Sequence, residues 1–311
     1  MTATAPTLAT PKPAPALPAG RLRPSYWPFI VPALVMVGAV IIFPWVFTLW
    51  MSANEWQLGG AKHFVGLANY IRLASDARFW ESMGHTLFYT VLSVVAPLLL
   101  GTAAALLFDS KLPMRGLLRG IFVMPMMATP VAIALVWTMM FNPQLGVLNY
   151  LLSLVGIGPW EWVYHPASVI PSLVLVETWQ WTPLVMLIVL GGLATVPAEP
   201  YESADIDGAT GWQKFRFITL PMIAPFLLLA AMIRTVDALK SFDIIYAITQ
   251  GGPGTASETI NLYLYSVAFA YYDVGYGSAI AVVFFVLIVA LSLVLLHLRQ
   301  RSKWNESGGE R

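Results

Sequence analysis

The sequence predicts an all-α integral membrane protein with six transmembrane helices. Three observations predict it: a deficit of charge, a set of apolar segments of bilayer length, and an elaborate acidic loop between two of them. Only 11% of the 311 residues are charged and 58% are hydrophobic, whereas a soluble domain carries about a quarter charged residues. Charge that sparse cannot coat a water-soluble surface, so lipid must be the solvent for much of it. The net charge of +1 gives nothing for nucleic acid to bind. The chain has no cysteine, hence no disulfide and no thiolate metal site. Its histidines, His63, His85, His165 and His297, are scattered without metal-ligand spacing, so no metal is expected.

Residues 1–26, rich in Ala, Pro and Thr at their start, read as a disordered cytoplasmic tail. Arg21 and Arg23 then precede an apolar stretch that is too long for a signal-peptide core and lacks a small-x-small cleavage site, so it reads as an uncleaved first span. A bilayer core takes about 20 apolar residues as helix. Six segments qualify: 27–51, 83–108, 117–141, 169–193, 221–239 and 276–298. Together they make one six-span transmembrane domain over 27–298, with 299–311 as a cytoplasmic tail. Pro32, Pro44, Pro97, Pro125, Pro130 and Pro183 each remove a backbone donor within a span, which neighbouring helices or a wet cavity must compensate.

Orientation comes from the basic residues. With both termini cytoplasmic, the inside holds Lys12, Arg21, Arg23, Lys111, Arg115, Arg119, Lys214, Arg216, Arg299, Arg301, Lys303 and Arg311, and the outside holds Lys62, Arg72, Arg78 and Lys240. Twelve against four is a clear positive-inside bias.

The internal loop 194–220 carries four acids and has more internal punctuation than a connector needs. Pro200 suits the first turn of a helix and Gly208 its stop, giving a short helix from Pro200 to about Asp207. Thr210 and Gln213 have the spacing of a capping box, which starts a second short helix through Phe217 with Trp212 and Phe215 on one face. Pro221 then opens the fifth span.

Over 197–221 this loop resembles the signature of the permease subunits of ATP-binding-cassette importers, E-A-A-x3-G-x9-I-x-L-P. Glu202, Ser203 and Ala204 precede Gly208 by the required spacing, and Ile218, Leu220 and Pro221 come after it at theirs; Ser203 for alanine is the one departure. The resemblance implies the type I, MetI-like permease fold and assigns the loop as a coupling helix docked on the ATP-binding subunit. Its contacts would come from Glu202, Ser203, Ala204, Asp205, Asp207, Gly208, Ile218, Leu220 and Pro221. Small side chains permit close packing and a carboxylate can meet a basic group on the partner. The chain has no G-x-x-x-x-G-K-[ST] motif, so it is not itself expected to be an enzyme; ATP and magnesium would bind the partner ATPase.

A second resemblance lies outside. Phe242-Asp243, Thr249, Gly251-Gly252-Pro253 and Phe269 are similar to the external segment of the carbohydrate-uptake permeases of the maltose and glycerol-phosphate group, in the form of the first permease of the pair. It implies import of a sugar, oligosaccharide or polyol across a bacterial cytoplasmic membrane by alternating access. The implied partners are a second permease, two copies of the ATPase and an extracytoplasmic solute-binding protein.

Polar groups within the spans are the candidate solute contacts: Glu177, Gln180 and Trp181 in the fourth, and Asp237, Lys240 and Ser241 toward the outer end of the fifth. Carboxylates and amides can take sugar hydroxyls, and an aromatic ring can take an apolar sugar face. The same residues have structural alternatives, namely an Asp237–Lys240 pair and a Glu177–Arg234 pair. An amino-acid or peptide importer would share the cytoplasmic loop without the external segment. An unrelated secondary transporter would predict internal repeats or discontinuous helices and no docking loop.

Overall fold

The computed structural model describes residues 26–110 and 113–307, the last ten of these by backbone alone. The tail read at 1–25 therefore lies outside the described residues, as do Lys12, Arg21, Arg23, Lys111 and Arg311 of the charge count and the side chains of Arg299, Arg301 and Lys303. By contacts the chain divides into Met1–Phe47 and Thr48–Arg311. The described part of the first unit is the start of helix α1, Trp27–Ser52, whose backbone passes through a π-turn at Gly38–Ile42.

The second unit continues with a two-residue hairpin, Asn54–Glu55 (β1) against His63–Phe64 (β2), and then helices α2 to α12. These are α2 Ala68–Ser75, α3 Ala77–Asp109, α4 Arg115–Met127, α5 Pro130–Met140, α6 Val147–Leu154, α7 Pro166–Leu193, α8 Glu199–Ile206, α9 Gly211–Leu239, α10 Asp243–Thr249, α11 Ile260–Ala270 and α12 Val274–Ser307. Among the described residues five helices, α1, α3, α7, α9 and α12, are long and apolar enough to cross a bilayer.

The third expected span, 117–141, is not one helix. It breaks after Met127, and α4 and α5 meet at 97°. Pro130 causes the break: it occupies the first turn of α5 and holds Thr129 extended, so helix cannot run through. Counted together, α4 and α5 supply the sixth span. Other boundaries also differ from expectation. The second span starts at Ala77 because Asp76 caps it, accepting from the backbone N–H groups of Arg78 and Phe79. Pro166 and the His165 side chain start the fourth span earlier than expected. The expected C-terminal tail continues α12 as far as Ser307. The segment 142–168, between the third and fourth expected spans, contains α6, a helix too short to stand out by apolar run length.

The helix α7 is central. In its most apolar window 61% of residues are buried, against 28% for α3 and 17% for α9 and α12. Its contact with α3 depends on Gly101, where an added Cβ would fall 2.6 Å from Val185 Cβ and 3.0 Å from the Thr182 carbonyl oxygen. Between membrane helices, backbones approach this closely only where a small residue permits it. Toward the side expected to face inward Phe108, Met186, Val189 and Ile223 close a core among α3, α7 and α9. Toward the side expected to be outer Tyr89, Trp137, Phe141, Leu173 and Ile245 form another. Several hydroxyls within spans return to their own helix, as Thr102 does to the Leu98 carbonyl and Thr235 to that of Ala231, which satisfies these without water.

The end expected to face outward is clamped by charge. Arg78 grips the buried Glu258 with two bonds of 2.7 and 2.8 Å, and Arg72 meets Asp273 at 2.8 Å. The phenols of Tyr263 and Tyr276 both donate to Asp76. Burial by itself raises the Asp76 carboxyl, but these phenols and the helix N–H groups outweigh it and hold the carboxyl below its ordinary value.

This packing gives two expected outcomes. Gly101→Val should lower the apparent Tm of the detergent-solubilised protein, at a cost of about 1–3 kcal/mol for overpacking, with a smaller loss for Gly101→Ala. Because the Asp76 carboxyl is depressed, its stabilisation is fully present above about pH 4 and is lost as pH falls through the lowered value. Thermal melts should therefore show Asp76→Asn destabilised at pH 7, with the gap to wild type closing on acidification.

Candidate functional site

The loop between α7 and α9 is built as its residues dictate. Pro200 lies in the first turn of α8, and the helix stops at Gly208, which takes φ +73°. A side chain there would be strained by about 1–2 kcal/mol, although the space around it is open. Thr210 and Gln213 complete the capping box in both directions. Lys214 then reaches back to the Asp205 carboxylate at 2.7 Å, and the Tyr201 and Thr219 hydroxyls lie 2.8 Å apart.

The second short helix does not end at Phe217, nor does Pro221 begin a new one. The chain passes from Lys214 through a π-turn at Phe215–Thr219 directly into Leu220, so that Gly211–Leu239 is one helix. Pro221 is tolerated inside it because the wider turn just before it already displaces the regular hydrogen-bond ladder. Trp212 and Phe215 do share a face, with ring centroids 5.5 Å apart.

Of the nine residues assigned to coupling, Glu202, Ser203, Asp205, Asp207 and Gly208 are exposed on the loop, while Ala204 is half-buried. Ala204, Asp207, Gly208 and Ile218 line one cleft of 320 Å³ between the two helices. Leu220 and Pro221 lie beyond it in α9. Ile206, which carried no assignment, is 88% exposed beside the cleft. An apolar side chain at the tip of a polar helix was the signal that would have found it.

The intramembrane candidates converge only in part. Arg234 Nη2 donates to Glu177 Oε2 at 2.6 Å, with Arg234 and Glu177 only 1% and 4% exposed. The Ser241 hydroxyl donates to the other carboxylate oxygen at 3.3 Å, and the Tyr89 hydroxyl lies 3.1 Å from Ser241. The Trp181 ring sits under the guanidinium, 4.9 Å from its carbon, so Glu177 and Trp181 do share a face. Trp179 points elsewhere and packs edge-on to Trp137 at 5.8 Å. Gln180 is buried beside the group, and its Oε1 has no protein hydrogen-bond partner, nor has Arg234 Nε or the hydroxyl of Thr90, Ser93 or Thr178.

Asp237 and Lys240 stand apart from this cluster. No ion pair joins them among the described residues; Lys240 is exposed, and Asp237 lines a crevice of 350 Å³ with Leu229, Met232, Ile233, Val236, Ser292 and Leu295. Three residues along a helix brings two side chains near each other, but here Lys240 is the last, exposed residue of the turn at the end of α9. Sequence reasoning placed Arg234 only as an alternative partner and missed Tyr89. A phenol with Thr90 and Ser93 after it in an apolar span was the available signal.

The family model for the binding-protein-dependent transport system inner membrane component matches residues 97–304. Among curated relatives, the trehalose/maltose transport system permease protein MalF of Thermococcus litoralis is 39% identical over 271 residues, 86% of this chain and 90% of that one. The sulfoquinovosyl glycerol transport system permease protein SmoG of Agrobacterium fabrum is 33% identical over 272 residues, 86% of this chain and 88% of its own length. In the crystal structure of a bacterial ABC transporter that imports the acidic polysaccharide alginate, one chain superposes with a TM-score of 0.76. That chain is 22% identical, over 88% of this chain and 94% of its own length, so it shares the fold. The broken span α4–α5 is therefore a feature of a chain with this family match, not a mark of an unrelated transporter.

The buried pair gives a direct test. Arg234→Ala and Glu177→Ala should each lower stability by about 3–5 kcal/mol, because each leaves the other charge buried alone. Removing both should cost less than the sum, in a double-variant cycle read by thermal unfolding in detergent.

Proposed function

The chain belongs to the binding-protein-dependent transport system inner membrane component family, and on that premise we propose that it is the carbohydrate-passing permease subunit of an ATP-binding-cassette importer. It would work in a bacterial cytoplasmic membrane with both termini inside, beside a second permease and two ATPase subunits. An extracytoplasmic binding protein would deliver the solute. ATP and magnesium would bind the ATPases.

The observation that carries this reading is the continuity of loop and span. The exposed helix α8 is tied to the base of α9 by Lys214–Asp205 and Tyr201–Thr219. The helix α9 then runs without interruption to Arg234, at the polar cluster. A push on α8 is thus passed through these side-chain ties to α9 and along its hydrogen-bonded backbone to a charged group within the membrane. When the ATPases close, their two docked loops approach each other, and the rods leading from them re-pack against α3 and α7. The cavity between the permeases opens outward, and hydrolysis returns it inward. No covalent chemistry falls to this chain.

The names of its relatives support a carbohydrate as the solute, and so does the chemistry of the cluster. Trp181 offers a ring face, and Gln180 and Ser241 offer hydroxyl-binding groups; Asp237 would offer another only from its separate crevice. Glu177 acts chiefly by holding Arg234.

The reading is tested in proteoliposomes that hold the assembled importer, with trehalose and maltose as first solutes. Glu202→Lys and Gly208→Asp should insert and assemble with the second permease. Both should lose sugar-stimulated ATP hydrolysis by at least about thirtyfold, the cost of removing an interface anchor. Uptake driven by an ion gradient, unaffected by either change and without an ATPase, would show the reading to be wrong.

A further inference from the structure

Four aromatic rings outside the polar cluster have no part in the mechanism above. Phe242 and Tyr246 stack on one face of the α10 segment, with centroids 5.2 Å apart and planes 14° from parallel. Tyr265 of α11 closes against both, at 5.3 Å from Phe242 and 5.4 Å from Tyr246. Phe269 extends the row one turn further, 5.4 Å from Tyr265. Rings this large usually serve a core, yet here Tyr246 is 38% exposed, Tyr265 37% and Phe269 66%. Only Phe242 is drawn in, packed against the outer core.

We propose that Phe242, Tyr246, Tyr265 and Phe269 form a stacking track for pyranose rings, along which an oligosaccharide is held as it enters the permease. The proposal rests on the carbohydrate reading above and adds a subsite to it. Three observations select a sugar as the occupant.

The row ends where the polar cluster begins. Phe242 comes directly after Ser241, whose hydroxyl is bonded to Glu177. A sugar ring leaving Phe242 would meet the half-buried Ser241 hydroxyl at the edge of that cluster next. The row also carries polar groups along its length: two phenol hydroxyls belong to it, and the exposed Asp243 carboxylate adjoins it. A pyranose has an apolar C–H face for a ring and hydroxyls on its rim for groups of this kind, whereas an acyl chain has use for the rings only. Finally, the elements that bear the row are fixed. Asn261, at the start of α11, donates to the carbonyls of Leu239 and Ser241, and Tyr263 is tied to Asp76. The rings are thus presented on a rigid edge, which lowers the entropy lost when a flexible oligosaccharide settles on them.

The test uses the assembled importer in proteoliposomes and measures uptake over a range of trehalose, maltose and maltotetraose concentrations. Tyr246→Ala and Tyr265→Ala should each raise the half-saturating concentration for maltotetraose by roughly three- to tenfold, the worth of one stacked ring. The effect on the disaccharides should be smaller, because they span fewer rings. Tyr246→Phe and Tyr265→Phe keep the ring and should stay within about twofold of wild type. That dependence on solute length, with rescue by Phe, is not expected of a residue that only maintains the fold. Half-saturation unchanged in the alanine variants overturns the proposal. So does loss of the second permease from the purified alanine variants, which would make the row a contact between subunits. A wild-type importer that takes up none of these sugars overturns the carbohydrate reading itself, and is seen before any variant is made.

Discussion

A charge inside a bilayer must be paired, and the Arg234–Glu177 bond is where this fold meets that demand. The two residues lie on α9 and α7, and the Arg234 guanidinium also lies against α3 at the Ser93 carbonyl. Neither charge is tolerable in hydrocarbon without the other. The pair therefore fixes which faces of α7 and α9 turn toward each other, and with them the placement of Trp181, Ser241 and Tyr89. The apolar contacts around it, from Phe108 to Ile223, are compatible with several rotations of these helices, because lipid competes for the same surfaces. The ionic bond is not.

The loop between α7 and α9 meets the opposite requirement. It must be exposed and still rigid, and its backbone is held by local devices rather than by burial: a left-handed glycine, a reciprocal cap, an ion pair and a hydroxyl pair. Individually such surface interactions contribute about 1 kcal/mol or less. Their number over so few residues compensates, and together they make α8 an extension of α9.

Much of this was legible in the sequence, and the part that was not has a common cause. The spans could be read because each is a run of apolar residues of bilayer length. The loop could be read because glycine, proline and a capping pair state backbone conformation locally. The right-angle break in the third span was harder: Pro130 announces a kink, but whether a helix bends slightly or turns through 97° depends on what packs beside it. The fused start of α9 was obscured by Pro221, which reads as a helix opening and lies instead behind a π-turn. That Glu177 and Trp181 share a face was legible in their helical spacing. That Asp237 and Lys240 do not pair is tertiary information, since both lie at the spacing of a pair and only their environments separate them. The aromatic row joins α10 to α11 across the intervening loop, and no spacing within either segment reveals it.

The π-turn at Phe215–Thr219 carries one more consequence. An α-helix advances about 100° per residue, and a single wide turn inserts roughly that rotation between the segments on its two sides. The loop and the span are thus one rod with a phase shifter in the middle. The direction in which the loop faces its neighbour and the direction in which Arg234 faces Glu177 are decoupled, although the rod that joins them is continuous. On the proposed reading, an angular mismatch between a docked ATPase and the membrane helices would be absorbed within this one turn, leaving both surfaces intact.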